Sequence, residues 1–497
     1  MLRFTLIFSW LLSLSAAQTA RAQAPAFTSY VQFNDTLVAR FNRGDYRGVE
    51  AFGSAALKRL EPAGSLAKQL AGLQPQTGHI VATRALGGRG RSHEFAWQGE
   101  KQNLRVVLVS PAPGVLDDYF ISNFVAQPQA RTAPLPTDNP GRSALDQAVQ
   151  RAATLYFQHP GAVGLSLAVA WRGRQYFYNY GEVTRGGGHL PTADTYYNIG
   201  SIAKTFVTTL LAQAVVDKRV QLTDDIRRYL PGSYPNLEYQ DQPVRLLDLA
   251  NHTSGLPTTA PIYPKALGDS LRHLDLASQV AYYNRYSADS LLRDAHRWQL
   301  RTRPGTTYQY NGNAMKLLQL IVERIYQQPY EQLLARYYGA APYRLHDTKR
   351  VLTATEQARF ATGYDDSGQP VLFPNYTGYW GGPNLNSTPT DLLRYAQVNL
   401  AERAPAVRLA HQRTWSAALS PELGLGWMLS TDAEDDQQVY HNGHGPGFNA
   451  RCVLYPGQDL ALVLLVNDNI SQSRLTDFTR LLKQELPRTG ATAAAAQ

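Results

Sequence analysis

Cysteine is nearly absent from this sequence. Cys452 stands alone among 497 residues, which excludes an internal disulfide framework and a cysteine zinc cluster. It lies in an apolar, strand-like run and reads as a small buried hydrophobe. Long hydrophobic runs are also missing. After the first 22 residues no segment stays apolar for the ~18 residues that a membrane span needs, so no integral span is expected in the mature chain. Blocks of lysine and arginine are lacking too: the formal charge of +9 is spread along the chain, which argues against nucleic acid as a partner. No H-E-x-x-H and no G-x-S-x-G occurs, so neither a zincin helix nor an α/β-hydrolase nucleophile elbow is supported.

What is present fits a folded protein of more than one domain. Hydrophobic residues make up 44% and charged residues 18%, outside the disordered range, and the length exceeds one ordinary core. Residues 1–22 read as a signal peptide: Arg3 is the positive flank, 4–16 is mostly apolar, and Ala20-Arg21-Ala22 is a small-x-small cleavage site. A periplasmic or extracellular location follows as an expectation. Without Arg3 and Arg21 the charge becomes +7, two below the full chain's +9.

Residues 27–125 read as a small α+β domain. Helices are expected at 36–41, from 44 through Leu57 and at 65–73, then strands at 78–84, 93–97 and 104–110. This helix-then-strand order resembles the small cone-shaped modules related to nuclear transport factor 2. Residues 127–142, with Pro128, Pro134, Pro136 and Pro140, read as an extended linker. In 143–486, strand-like runs at 165–171 and 175–180 form a hairpin signal around Arg172-Gly173-Arg174. A long helical middle follows, and strands return at 439–444, 450–455 and 460–466 before a closing helix from Leu475 to Leu486. Strands at both ends around a helical middle imply one antiparallel sheet with flanking helices. The Ala-rich stretch 490–497 reads as a disordered tail.

The chemical signal is Ser201-Ile202-Ala203-Lys204. At i and i+3 of a helix a hydroxyl and an amine share a face, and an amine that can lose its proton activates the hydroxyl. The pattern is cheap by itself: Ser65-Leu66-Ala67-Lys68 fits it equally, where an exposed amphipathic helix is the plainer reading. Context separates the two. Tyr197-Asn198-Ile199-Gly200 precedes Ser201. Leu222-Thr223-Asp224-Asp225, Tyr229-Leu230-Pro231 and the run from Leu246 through Asn251-His252-Thr253-Ser254-Gly255-Leu256-Pro257 follow. This ordered set resembles the superfamily of class C β-lactamases and penicillin-binding proteins over nearly all of 143–486.

The resemblance implies a β-lactamase/transpeptidase-like α+β fold and a serine hydrolase that passes through an acyl-enzyme on Ser201, with Lys204 as proton acceptor. Its second motif, Tyr-x-Asn, aligns with Tyr310-Asn311-Gly312-Asn313. Tyr310 takes the proton-relay position. Gly312 stands where the asparagine is usual, with Asn311 and Asn313 on either side, which leaves open which amide, if any, meets substrate; Asn311 is placed in the substrate site. Tyr-x-Asn also occurs by chance from Tyr196, Tyr234 and Tyr282. The third motif matches His441-Asn442-Gly443-His444: His441 would orient substrate or its carboxylate, and Gly443 lets substrate lie on the strand edge. The amides of Ser201 and His444 would form the oxyanion hole. His159-Pro160-Gly161 is a decoy, His252 a loop residue, and 382–391 and 424–427 are scaffold. No metal or cofactor is implied; the partner is a small-molecule or peptide substrate. Peptidase, esterase and β-lactamase share these parts and stay open, as does a non-catalytic binding or sensing module of the same fold.

Overall fold

A computed structural model describes residues 27–60, 63–89, 91–123, 134–258, 276–371, 375, 377–379, 382–417, 421–432 and 435–486. The expected signal peptide, the first half of the expected linker (127–133) and the expected tail lie outside the described residues. The chain divides into two compact units, Met1–Val125 and Ala126–Gln497.

Among the described residues, the first unit places four helices before a sheet. α1 (Tyr30–Asn42) starts at Ser29, whose side chain accepts from the Gln32 amide, an N-cap worth about 1 kcal/mol. Its buried face is Phe33, Leu37 and Phe41, spaced by four. α2 (Tyr46–Glu50) and α3 (Ala55–Leu60) are separate helices, where the sequence suggested one running through Leu57. The break arises because the backbone at 52–54 pairs with another segment: Leu116 N donates to Phe52 O, and Ser54 N to Leu116 O. After α4 (Ser65–Thr77) comes an antiparallel meander of β1 (Ile80–Arg89), β2 (Ser92–Gly99), β3 (Leu104–Val109) and β4 (Asp118–Asn123). β4 was not legible in the sequence; it gains its identity by pairing Tyr119 and Ile121 with Leu108 and Val106.

The second unit runs α5 (Ala144–Phe157), β5 (Gly164–Trp171), β6 (Arg174–Gly181), α6 (Ala203–Val216), α7 (Leu246–Ala250), α8 (Ala288–Ala295), α9 (Gly312–Tyr326), α10 (Pro389–Ala401), β7 (Glu422–Leu423), β8 (Met428–Thr431), β9 (Gln437–Gly445), β10 (Phe448–Tyr455), β11 (Leu460–Val466) and α11 (Gln472–Glu485), with short elements between. One antiparallel sheet has the order β7-β8-β9-β10-β11-β5-β6. The ends of the unit therefore meet at its centre, where Leu462 pairs with Val169 and Leu464 with Leu167. β11 is apolar throughout because both faces are covered. Leu460, Leu462 and Leu464 join the core under α5 and α11, while Ala461, Val463 and Leu465 join the core shared with α6 and α9. α6 is buried nearly all round, through Phe206, Leu210, Leu211 and seven others. At about 1.5–3 kcal/mol for each large apolar side chain, this fixes the helix that carries Lys204.

Residues 134–142 are not a free linker. Pro136 O accepts from Gly181 N, Asp138 takes both the backbone and side-chain N–H groups of Asn179 at 2.7 and 2.6 Å, and Asn139 Nδ2 donates to Asp146 O at 2.8 Å. The prolines hide this from the sequence, since they break periodicity while leaving carbonyls and neighbouring side chains to bond the edge of β6. Among the described residues no helix is long and apolar enough to cross a membrane.

Candidate active site

Ser201 sits on a single 3-10 turn, Gly200–Ile202, that leads directly into α6. In that tight turn side chains three apart nearly eclipse. The outcome is a hydrogen bond of 2.8 Å between Lys204 Nζ and Ser201 Oγ. The turn is held from below by Asn198, whose Oδ1 accepts from Gly200 N at 3.1 Å. Its Nδ2 donates to Asn384 and Asn386 at 2.9 and 3.2 Å. The segment read as scaffold thus locks the nucleophile turn.

β9 lies against this turn closely enough to demand glycine twice. Gly200 has φ +50°, and a Cβ on it would stand 2.5 Å from His444 N. A Cβ on Gly443 would stand 2.1 Å from Ile199 O. The third motif and the Ser201 turn are therefore in backbone contact, with the His444 amide beside the residue that precedes Ser201. His444 Nδ1 bonds Asn449 Oδ1 at 2.9 Å.

Tyr310 comes from the loop before α9. It keeps 39% exposure, and its ring centroid is 5.1 Å from Lys204 Nζ, within cation–π range. His252 fixes that loop. Its Nδ1 accepts from Asn311 N at 3.1 Å, its carbonyl accepts from Gln309 N at 2.8 Å, and its ring lies 4.4 Å from that of Tyr310. His252 holds φ +57°, a left-handed conformation that persists where surrounding contacts over-determine it. The loop histidine is thus the support behind Tyr310, a role its sequence position did not reveal.

Asn311 is a correction. It is 2% exposed; Oδ1 caps α9 by accepting from Ala314 N at 3.0 Å, and Nδ2 donates to Leu256 O at 2.7 Å. Asn313 likewise donates to Pro257 O at 2.8 Å. Both amides clamp the 251–257 loop and neither is presented to substrate. Gly312 between them is exposed.

The two histidines are neutral at pH 7. Burial, then repulsion by Lys204 and His441, drives His252 well below the usual imidazole value. His441 is pushed down to about 4, first by burial and then by Lys204. Its Nδ1 meets Asn442 O at 2.7 Å, so Nδ1 carries the proton and Nε2 is an acceptor. A neutral His441 would orient substrate through its accepting Nε2 rather than through positive charge. The unfolded chain protonates this imidazole near its ordinary value of 6.5 while the folded chain resists. Its stabilising contribution is therefore complete above about 6.5 and is lost as pH falls toward 4. We expect the wild type to lose about 3 kcal/mol more than His441→Asn between pH 7 and pH 4 in urea titrations; parallel losses in the two proteins would contradict it.

The decoys separate cleanly. Ser65 opens α4 with Lys68 exposed, and no hydrogen bond joins the two among the described residues. Cys452 is fully buried on β10, its thiol pushed up to about 12 by burial.

The β-lactamase family model matches residues 145–486. A β-lactamase from Lysobacter lactamgenus is 28% identical over 281 residues, covering 56% of this chain and 64% of that protein, so the chain spans just under two thirds of that relative. The D-alanyl-D-alanine-carboxypeptidase/endopeptidase AmpH of Escherichia coli K12 is 24% identical over 352 residues, covering 67% of this chain and 86% of that one. Among solved structures, a β-lactamase/D-alanine carboxypeptidase from Yersinia pestis superposes with TM-score 0.58 at 24% identity, covering 69% of this chain and 99% of that chain. With the family model spanning more than half of its length, this chain belongs to the β-lactamase family.

Proposed function

We propose that Ser201 is the nucleophile of an exported hydrolase that cleaves amides or esters of the D-amino-acid peptide, simple ester or β-lactam type. The observation that carries this is the 2.8 Å bond from Lys204 Nζ to Ser201 Oγ. Ser201 Oγ attacks the substrate carbonyl carbon while Lys204 takes the hydroxyl proton. The oxyanion faces the amides of Ser201 and His444. The bond to the leaving amine or alcohol then breaks, and the proton held by Lys204 passes through Tyr310 to it. Water attacks the ester on Ser201, returns the proton to Oγ and releases the acid. Neutral His441 and the Gly443 backbone line the strand side.

A panel tests the substrate class: a p-nitrophenyl ester, a D-Ala-D-Ala peptide, a chromogenic cephalosporin and a fluorescent penicillin. We expect turnover of the ester or the peptide. Stable penicillin labelling with no turnover of any member would support a sensor instead. Export is supported by Arg3, the apolar run 4–16 and Ala20-Arg21-Ala22, and mass spectrometry of secreted protein should find a start near Gln23; an intact Met1 would refute it.

The division at Val125 leads to another expectation. A fragment beginning at Ala126 should hydrolyse the ester with kcat within about twofold of the whole chain. One beginning at Ser143 should melt lower, having lost the Asp138–Asn179 and Asn139–Asp146 bonds at about 0.5–1.5 kcal/mol each. Equal melting of the two fragments would show that 134–142 adds nothing.

A further inference from the structure

α9 brings a second amine toward the site. Gly312 and Lys316 are four residues apart, so they stack on one face of α9. Long helical side chains lean toward the helix N-terminus, which directs Lys316 back toward Gly312, two residues past Tyr310. At Gly312 the described residues leave space: a Cβ built there would meet none of them within 4 Å. Lys316 is only 8% exposed. Its stem lies by Gly382, where a Cβ would stand 3.4 Å from Lys316 Cγ, and its ammonium is 5.7 Å from the centroid of Tyr286.

Burying an ammonium is costly, and an apolar side chain of similar length would pack there with less penalty. Two charged groups among the described residues bear on it. Asp294 on α8 attracts it and itself accepts from Tyr286 at 2.6 Å. Lys204 on α6 repels it, so the two amines are within electrostatic reach of one another. The charge is thus kept one helical turn from the gap at Gly312 and near the nucleophile's lysine. His252 and His441 are neutral at pH 7, and Lys204 is bonded to Ser201.

We propose that Lys316 is a specificity residue that binds a carboxylate on the acyl part of the substrate, its ammonium reaching across the space that Gly312 leaves open. The proposal rests on the Ser201 reading and names the acyl class that site prefers: acids carrying a second carboxylate. Burial, opposed by Asp294 and aided by Lys204, brings Lys316 down to about 8, so it is mostly charged at pH 7 and loses its charge by pH 9.5.

The test compares mono-p-nitrophenyl glutarate with p-nitrophenyl valerate, equal in chain length and differing in the carboxylate. Its readout is the ratio of their kcat/KM values in the full chain. Lys316→Met should lower the glutarate-to-valerate ratio at least about tenfold, chiefly through the KM for glutarate, and Lys316→Arg should hold it within about threefold of wild type. In the wild type the ratio should fall between pH 7 and pH 9.5, a measurement that needs no variant to fold. An equal loss on both esters in Lys316→Met, or a ratio indifferent to pH, overturns the proposal. Failure of the Ser201 reading is distinguishable, because it appears as undiminished hydrolysis of both esters by Ser201→Ala.

Discussion

Ser201→Ala loses ester hydrolysis by at least about 10³-fold, while Ser65→Ala stays within about twofold of wild type. The two serines share a local pattern and differ in everything around it. Ser201 is bonded to Lys204 at 2.8 Å, and its turn is pinned by Asn198 and by the β9 backbone. Ser65 opens a helix whose Lys68 stands in solvent. Removing a nucleophile removes the covalent route and leaves only what binding and oriented amides give to direct attack by water. A Ser65→Ala enzyme that loses turnover while Ser201→Ala keeps it would reverse the assignment.

Tyr310→Phe lowers kcat by about 10²–10⁴-fold, the range of a positioned general acid–base group, and leaves the melting temperature within a few degrees. The side chain is partly exposed and its ring faces Lys204, so losing one hydroxyl costs little packing. Asn311→Ala and Asn313→Ala should show the opposite signature. Each removes buried bonds that clamp the 251–257 loop, and Asn311→Ala also removes a helix cap. Together these are worth about 1–3 kcal/mol of stability. Folded Asn variants should keep kcat within about tenfold. Full activity in Tyr310→Phe would remove the tyrosine from the mechanism and turn attention to Tyr308 or Tyr282.

The Ser201–Lys204 pair was legible because an i, i+3 spacing at a helix start leaves the side chains little choice, and because ordered flanks distinguished it from Ser65. The central sheet was legible because β5, β9, β10 and β11 are strongly apolar or motif-bearing. The asparagines misled because residue type does not say which way a side chain points. Asn311 lies at a helix start, where capping competes with substrate for the same amide, and capping won. Lys316 was silent for a related reason: a lysine in an amphipathic pattern reads as solvated face, and only tertiary packing shows α9 to be covered there. The edge contacts of 134–142 and the break between α2 and α3 depend on partners far along the chain, which local pattern does not carry.

The central claim is that Ser201 carries the acyl group. Incubation of the full chain with a fluorophosphonate or a slowly released penicillin, then proteolysis and mass spectrometry, locates the adduct. The account predicts one adduct per chain on the peptide holding Ser201, absent from Ser201→Ala. An adduct on Ser65 or any other residue, with Ser201 unmodified while hydrolysis is blocked, would contradict it.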